Sequence, residues 1–481
     1  MQTHETHSLE GRVLVFSSSI FLFFFLPLVI AGYHLLKGRF RLYFLLFASL
    51  LFYTWGEPVY IWVMLFSIAV NYLFGLLVHA CAASNKSVRR LILFAAVCLN
   101  LGILFYFKYL TFATETVNRL FGAHFATRAI ILPIGISFFT FQGMSYVLDL
   151  HFQKVTVQKN PILIAFYISF FPQLIAGPIV RYIDIQEQLY ARDESLEKFV
   201  AGSKRFIVGL AKKIIIANTV GFTADQVFAN RALENTPAIA WLGILCYSFQ
   251  IFFDFSGYSD MAIGLGKMFG FDFLENFNYP YIAKSITEFW RRWHISLSTW
   301  FRDFVYIPLG GNRRGNVYVN LGIVFVITGV WHGASFNFLV WGLWHGLFLI
   351  LERALKCTKV EKRSHVPVRY VMTMLIVIVG WVFFRVEGLK EALRYVGVMF
   401  GVLRPENAGF TVWYYLDAKI VCALVLAVLA SVPITRGKLF DRVRRLAAWE
   451  YASAALSLAL FFISIVFVVA SSYNPFIYFR F

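Results

Sequence analysis

The tripeptide Trp-His-Gly occurs twice, as Trp331-His332-Gly333 and Trp344-His345-Gly346, inside a stretch that is otherwise almost wholly apolar. A third histidine, His294, sits upstream in Trp290-Arg-Arg-Trp-His-Ile-Ser-Leu-Ser-Thr-Trp-Phe-Arg-Asp303. An imidazole changes charge near neutral pH, which suits it to moving protons as a general base or acid. At membrane depth it is costly unless a partner or a water-filled cavity receives it, so each such histidine is a candidate functional group. His332 and His294 facing one polar cavity would suit proton transfer; the competing reading is a packed histidine bonded to a backbone carbonyl. On an uninterrupted helix, thirteen residues turn the chain by about 220°, so His345 would face away from His332. It is expected either to act directly or to pack against a neighbouring helix.

Two carboxylates share this apolar setting, Asp254 and Asp260 in Gln250-Ile-Phe-Phe-Asp-Phe-Ser-Gly-Tyr-Ser-Asp260. A carboxylate near a bilayer centre costs about 2.5–3.5 kcal/mol on insertion scales, so each requires a partner. Gln250 and Asp254 are four apart and share a helix face, and Ser256-Gly257 permits a break after them. Anchoring a chamber and serving as a general acid are the two roles open to them.

The elements that must position these groups are membrane helices. Hydrophobic residues make up 59% of the 481 and charged residues 15%, against about 25% charged in a soluble protein. Apolar runs of about 17–25 residues, the length that crosses a hydrocarbon core, begin near Val13, Leu42, Pro58, Leu91, Ala129, Pro161, Phe206, Pro237, Val317, Phe336, Val371, Thr411 and Tyr451. They predict an all-α polytopic membrane protein with about eleven to thirteen embedded helices. The stretch Lys284 to Arg314 is aromatic, basic and interrupted by Pro308 and Gly310-Gly311, which argues against a simple spanning helix. Irregular backbone at that depth must be buried by protein or line a water-filled space, so a re-entrant or amphipathic wall of a reaction chamber is expected there.

The net charge of +18 is distributed in short loops: Lys37, Arg39 and Arg41; Lys86, Arg89 and Arg90; Arg313 and Arg314; Lys356, Lys359, Lys362 and Arg363; and Arg436 to Arg445. The loop Thr54 to Tyr60 has no basic residue. That alternation places the basic loops in the cytoplasm and the amino terminus outside, with the charge facing anionic lipid and no nucleic-acid partner. The first run, Val13 to Leu36, is too long for a signal-peptide core and reads as a retained helix. Five scattered cysteines show no metal-ligand spacing, so no metal site is indicated, and they read as small buried residues. Gly264-Leu-Gly266-Lys-Met-Phe-Gly270 lacks the spacing and preceding strand of a dinucleotide site; its glycines suit close helix packing. No linker divides the chain, which reads as one integral-membrane domain, 1–481, with its motif core at about 130–350.

Four segments together resemble the membrane-bound O-acyltransferases: Phe171-Pro-Gln-Leu-Ile-Ala-Gly-Pro178, Gln250 to Asp260, Trp290 to Asp303, and Trp331-His332-Gly333. Val15-Phe-Ser-Ser-Ser-Ile-Phe-Leu22 and Asn474-Pro-Phe-Ile-Tyr-Phe-Arg480 are similar to the bacterial alginate O-acetyltransferase subgroup. The resemblance implies a ring of about 11–13 transmembrane or re-entrant helices around a central reaction chamber in the bacterial inner membrane. It also implies His332 as the catalytic histidine with His294 as its partner. The donor would be acetyl-CoA, entering from the cytoplasm as a substrate and not as a resident cofactor. The acceptor would be an exported polysaccharide or a periplasmic partner resembling SGNH hydrolases.

Acetyl transfer from a thioester to a hydroxyl needs a base, stabilisation of the tetrahedral oxyanion and exclusion of water. On this reading His332 is the general base, and His294 orients the acceptor or donates to the oxyanion. Arg291, Arg292, Arg313 and Arg314 are candidates for holding the donor's phosphates, since guanidinium groups match phosphate oxygens bidentately; cytoplasmic anchoring is the alternative. The rival reading is a transporter with Asp254, Asp260 and the histidines along a proton or solute path, although no paired repeat of the kind many transporters carry is visible.

Overall fold

The computed structural model describes residues 14–81, 86–357, 365–406, 409–446, 448–471 and 473–477. Lys359, Lys362, Arg363 and the Tyr478 to Arg480 end of the closing motif lie outside them. Two compact units divide the chain, one of Met1–Phe206 with Tyr258–Leu274 and one of Ile207–Gly257 with Glu275–Phe481. Two long helices run from one unit into the other, so neither unit is a contiguous stretch of sequence.

The first unit contains α1 (Phe21–Leu35), α2 (Arg39–Gly56), α3 (Ile61–Ala80), α4 (Lys86–Phe121), α5 (Ile136–His151) and α6 (Pro161–Ser169). Asn71 and Asn100 exchange side-chain amide hydrogen bonds of 3.0 and 3.1 Å between α3 and α4. Reciprocal pairing is how two buried amides avoid the cost of an unpaired polar group. Gly143 on α5 makes room for that pair, because a Cβ there would lie 2.5 Å from the Asn71 amide nitrogen. The apolar run from Pro161 does not form one span: Asn160 caps α6 and Pro161 opens it, and the helix ends where Phe170-Phe171-Pro172 begins the next short turn.

The two shared helices are α7 (Leu196–Ala229) and α8 (Pro237–Met268). In the first unit Gly264 meets the backbone of Gly202, and in the second Gly257 meets the carbonyl of Gly209. The helix-packing role expected of Gly264 is therefore what the backbone shows. These contacts are closer than any side chain would allow, the pattern by which small residues bring membrane helices together.

The second unit adds α9 (Ile286–Arg292), α10 (Ile295–Phe301), α11 (Val317–His332), α12 (Phe336–Ala354), α13 (Val366–Arg385), α14 (Leu389–Met399), α15 (Ala418–Ala430) and α16 (Trp449–Ala470). As expected, the stretch from Lys284 to Arg314 forms no spanning helix. It consists of α9, α10, a π-turn at Arg302–Tyr306 and turns through Gly310 and Gly311, both with positive φ.

Among the described residues seven helices are long and apolar enough to cross a membrane: α3, α4, α7, α8, α13, α16 and a stretch from α15 to Arg436. Helices α1 and α11 are apolar but shorter. Only 6% of α16's most apolar window is buried within the chain, as a helix that faces a hydrocarbon core can be. One expectation needs correcting at this level. Of the five cysteines only Cys246 is buried, while Cys98, Cys357 and Cys422 are exposed. In a membrane protein an apolar sequence context does not imply burial in protein, because lipid serves as well.

Candidate active site

The double Trp-His-Gly motif is read out by a helical hairpin. Helix α11 ends at His332, the chain turns through extended Gly333, and Ser335 caps α12 by accepting from the Asn337 amide at 3.2 Å. The two helices then pack backbone to backbone, since a Cβ at Gly329 would strike the carbonyl of Phe338 and one at Gly342 the carbonyl of Phe325. The premise of an uninterrupted helix therefore fails, and with it the expectation that His332 and His345 face apart. Both rings flank Trp341, His332 at 4.8 Å and His345 at 5.2 Å between centroids.

His332 is 5% exposed and lines a small cavity with Phe255, Trp341, Trp381, Phe384 and Ile477. The cavity's free volume of about 10 Å³ is room for about one water molecule. His345 does not line it. Its ring stacks on Phe289 at 6.1 Å and meets Trp290 edge-on at 5.3 Å. Neither of its nitrogens has a hydrogen-bond partner among the described residues. Gly380 leaves space for its Nε2, which a Cβ there would approach to 2.8 Å. Of its two expected roles, packing is the one this geometry supports.

His294 joins the same aromatic cluster. Its ring lies 4.7 Å from Phe255, which lines the cavity, and 6.1 Å from Trp331, itself 4.9 Å from His332. His294 is fully buried and caps α10 in the left-handed region, φ 44° and ψ 55°. Histidine is among the residues that tolerate that conformation, at some cost. Its Nδ1 is 3.2 Å from Asn276 Oδ1, and its Nε2 has no partner among the described residues. Burial pushes the pKa of this imidazole down, so the ring is neutral at pH 7.

The backbone around His294 is clamped from two sides. The Ile295 amide donates to the Asn276 carbonyl at 2.9 Å, and the Asn278 amide to the Arg292 carbonyl at 2.9 Å. At the other end of α9, Glu352 accepts from the Ile286 and Thr287 amides and from the Thr287 hydroxyl. A carboxylate at a helix N-terminus satisfies orphan amides and complements the helix dipole. Sequence reading missed both Glu352 and Asn276. Each sits in an ordinary polar context, and only the fold brings it to the motif.

Asp254 and Asp260 both have the partners their burial demands. Asp254 forms an ion pair with Lys213 at 2.7 Å, both side chains nearly inaccessible. In the first unit Asp260 pairs with Arg205 at 2.6 Å. Lys213 was also passed over in sequence, although a lysine within the apolar run Phe206 to Phe222 is the anomaly that could have flagged it. The Lys213–Asp254 pair does more than neutralise itself. Lys213 Nζ donates to the Pro475 carbonyl and Asp254 Oδ2 accepts from the Ile477 amide at 2.8 Å. Asn218 and Asp225 hold the preceding residues, with Asp225 accepting from the Tyr473 hydroxyl at 2.7 Å. The segment Tyr473 to Ile477 is thus tied down so that Ile477 forms part of the cavity wall. Anchoring is the role this arrangement supports for Asp254; for Asp260 the pair with Arg205 satisfies the buried carboxylate.

The four candidate arginines separate into two kinds. Arg292 is engaged internally, with Glu288 at 2.8 Å and the Asn278 carbonyl at 2.9 Å. Arg291, Arg313 and Arg314 are exposed. Arg436, on a different loop, donates to the side-chain oxygen of the same residue, Asn278, at 3.0 Å.

Comparison with known proteins adds an independent line. Residues 134–386 match the family described as membrane-bound O-acyltransferases. The chain is 42% identical to a Pseudomonas putida protein named "Probable alginate O-acetylase AlgI", over 97% of this chain and all of that relative. It is 34% identical to the "Peptidoglycan O-acetyltransferase" of Helicobacter pylori, over 98% of both. A shorter similarity, 31% identity over 44% of this chain and 56% of the relative, links it to the "Teichoic acid D-alanyltransferase" of Bacillus subtilis.

Proposed function

The chain belongs to the membrane-bound O-acyltransferase family, a multi-pass membrane enzyme by its helices and its kin, and from that premise we propose that it moves acetyl groups from cytoplasmic acetyl-CoA to a hydroxyl on the far side of a bacterial inner membrane. The acceptor is an exported polysaccharide, or the serine of a periplasmic SGNH-like partner that relays the group. Relatives named for acetylating alginate and peptidoglycan support a glycan acceptor.

The observation that carries this reading is a buried imidazole, His332, on a cavity walled by aromatic and aliphatic side chains, with a second imidazole in the same cluster. In the reaction His332 takes the proton of the attacking hydroxyl as its oxygen bonds to the acetyl carbonyl carbon. The tetrahedral intermediate then collapses, the carbon–sulfur bond breaks, and the proton passes to the departing thiolate. A positioned base of this kind contributes about 10²–10⁴-fold. The apolar wall keeps bulk water from competing for the thioester.

An acetyl group needs more space than one water, so transfer requires this cavity to widen. The test is to supply the purified protein in vesicles with labelled acetyl-CoA and a glycan acceptor. Labelled O-acetyl ester supports the proposal; uptake of acceptor into the vesicles without ester formation would replace it with a transport function.

A further inference from the structure

We infer that Asn276 is a positioning residue that locks His294 into its Nδ1–H tautomer, leaving Nε2 able only to accept a hydrogen bond from the acceptor substrate. The inference rests on the acyltransferase reading and settles which of two roles His294 plays within it.

The Ser296 amide donates to Asn276 Oδ1 at 3.2 Å. A peptide N–H can only donate, so the atom facing it must be the oxygen of the Asn276 amide, and the usual ambiguity of an amide's orientation is removed. The Ser296 hydroxyl is 2.9 Å from the same oxygen and donates to it. His294 Nδ1 faces that oxygen at 3.2 Å, and also the Ser296 hydroxyl oxygen at 3.5 Å, whose proton is already directed to Asn276 Oδ1 by the shorter bond. Two acceptors cannot bond each other, so Nδ1 carries the proton. In a neutral imidazole the other nitrogen then carries only a lone pair. Asn276 is itself fully buried, and its carbonyl accepts from the Ile295 amide at 2.9 Å, so its backbone is fixed to the turn it orients.

The remaining nitrogen, Nε2, is buried and has no partner among the described residues. An unsatisfied acceptor in a protein interior is destabilising unless a ligand completes it. A lone pair selects a donor, and among the reactants a sugar hydroxyl is the donor in surplus. A glycan acceptor offers several; His294 stands behind Phe255 and does not itself line the small cavity, so it holds one hydroxyl, while His332 deprotonates the one that attacks, only in the widened cavity that transfer requires. The oxyanion, which requires a donor, is thereby excluded as the partner of neutral His294. A site that presents an acceptor to a substrate hydroxyl also discriminates against analogues lacking it.

The experiment has two arms on the full-length protein. In the first, ¹⁵N-histidine NMR of wild type against His294→Gln identifies the His294 ring signals. Protonated Nδ1 with unprotonated Nε2 is the expected result, and a ring protonated at Nε2 overturns the inference whatever the enzyme's activity. In the second, transfer from acetyl-CoA to an alginate oligosaccharide is compared for Asn276→Ala and Asn276→Asp. Asn276→Ala is expected to lose about 10²-fold or more in kcat/KM for the oligosaccharide, within the range of a misdirected catalytic base, with KM for acetyl-CoA unchanged. Asn276→Asp keeps an acceptor facing Nδ1 and is expected to recover most of that loss. Equal kinetics for Asn276→Ala and wild type would overturn the inference. Absence of ester formation by wild type would instead sink the acyltransferase reading, leaving the tautomer measurement to stand on its own.

Discussion

At the scale of single residues, the three histidines share one aromatic cluster but not one job. His332 lines the cavity, His294 is held by Asn276, and His345 is enclosed by Phe289, Trp290 and Trp341 with no hydrogen bond to either nitrogen among the described residues. If His345 serves only by filling space, an aromatic ring of similar size can replace it. His345→Phe is therefore expected to retain acetylation within a few-fold of wild type per folded molecule, measured as ester formed per unit of protein recovered from the membrane. A loss as deep as that of His332→Ala would return His345 to the catalytic set. What sequence made legible here was residue type: imidazoles and carboxylates in apolar surroundings are conspicuous because their burial is costly. What it hid was partnership. Asn276 lies eighteen residues from His294, and Lys213 forty-one from Asp254; neither pair shares a helix, because the pairs are made by tertiary packing.

At the scale of elements, two devices hold the cavity's shape. The first is the glycine seam between α11 and α12. Gly329→Ala would place a methyl group against the Phe338 carbonyl, which is backbone and cannot rotate away. Overpacking of this kind costs about 1–3 kcal/mol, so the variant is expected to show a lower Tm in detergent together with reduced turnover, read by thermal shift and ester formation on the same sample. The second is the Lys213–Asp254 pair beneath the Tyr473 to Ile477 segment. Removing one member leaves a buried charge unpaired, at about 3–5 kcal/mol. Lys213→Ala should thus be strongly destabilised, and Lys213→Met with Asp254→Leu should regain much of the stability by replacing the charges with apolar bulk. The double variant still lacks the tether to Pro475 and Ile477, so its activity should stay low when its Tm returns. Full activity in that variant would show the tether to be dispensable. Apolar periodicity predicted these elements as helices, and Pro308 with Gly310-Gly311 marked the stretch that does not span. The break at Gly333 was legible in the separate apolar runs from Val317 and Phe336; the spacing argument for His345 overlooked it by treating the two runs as one helix.

At the scale of the whole molecule, the account requires a membrane enzyme with two faces, a donor side and an acceptor side. The basic loops supply the orientation, and the exposed Arg313 and Arg314 lie on one of them. If they bind the donor's phosphates, Arg313→Glu with Arg314→Glu should raise KM for acetyl-CoA about 10-fold or more, since charge-assisted hydrogen bonds contribute about 1.5–3 kcal/mol, while KM for the acceptor holds. An unchanged donor KM would leave them as anchors to the cytoplasmic leaflet. The family was readable from the order of its motifs, and residues 134–386 bear it out; none of those motifs specifies an acceptor. All of this depends on His332 meeting a thioester and an alcohol together. The most direct trial is single-turnover transfer of labelled acetyl from acetyl-CoA to an alginate oligosaccharide by vesicle-embedded wild type and His332→Ala, with folding of both checked by Tm. A fall of at least about 10²-fold in the variant, with its Tm close to wild type, is the predicted result; equal rates in the two proteins would contradict it.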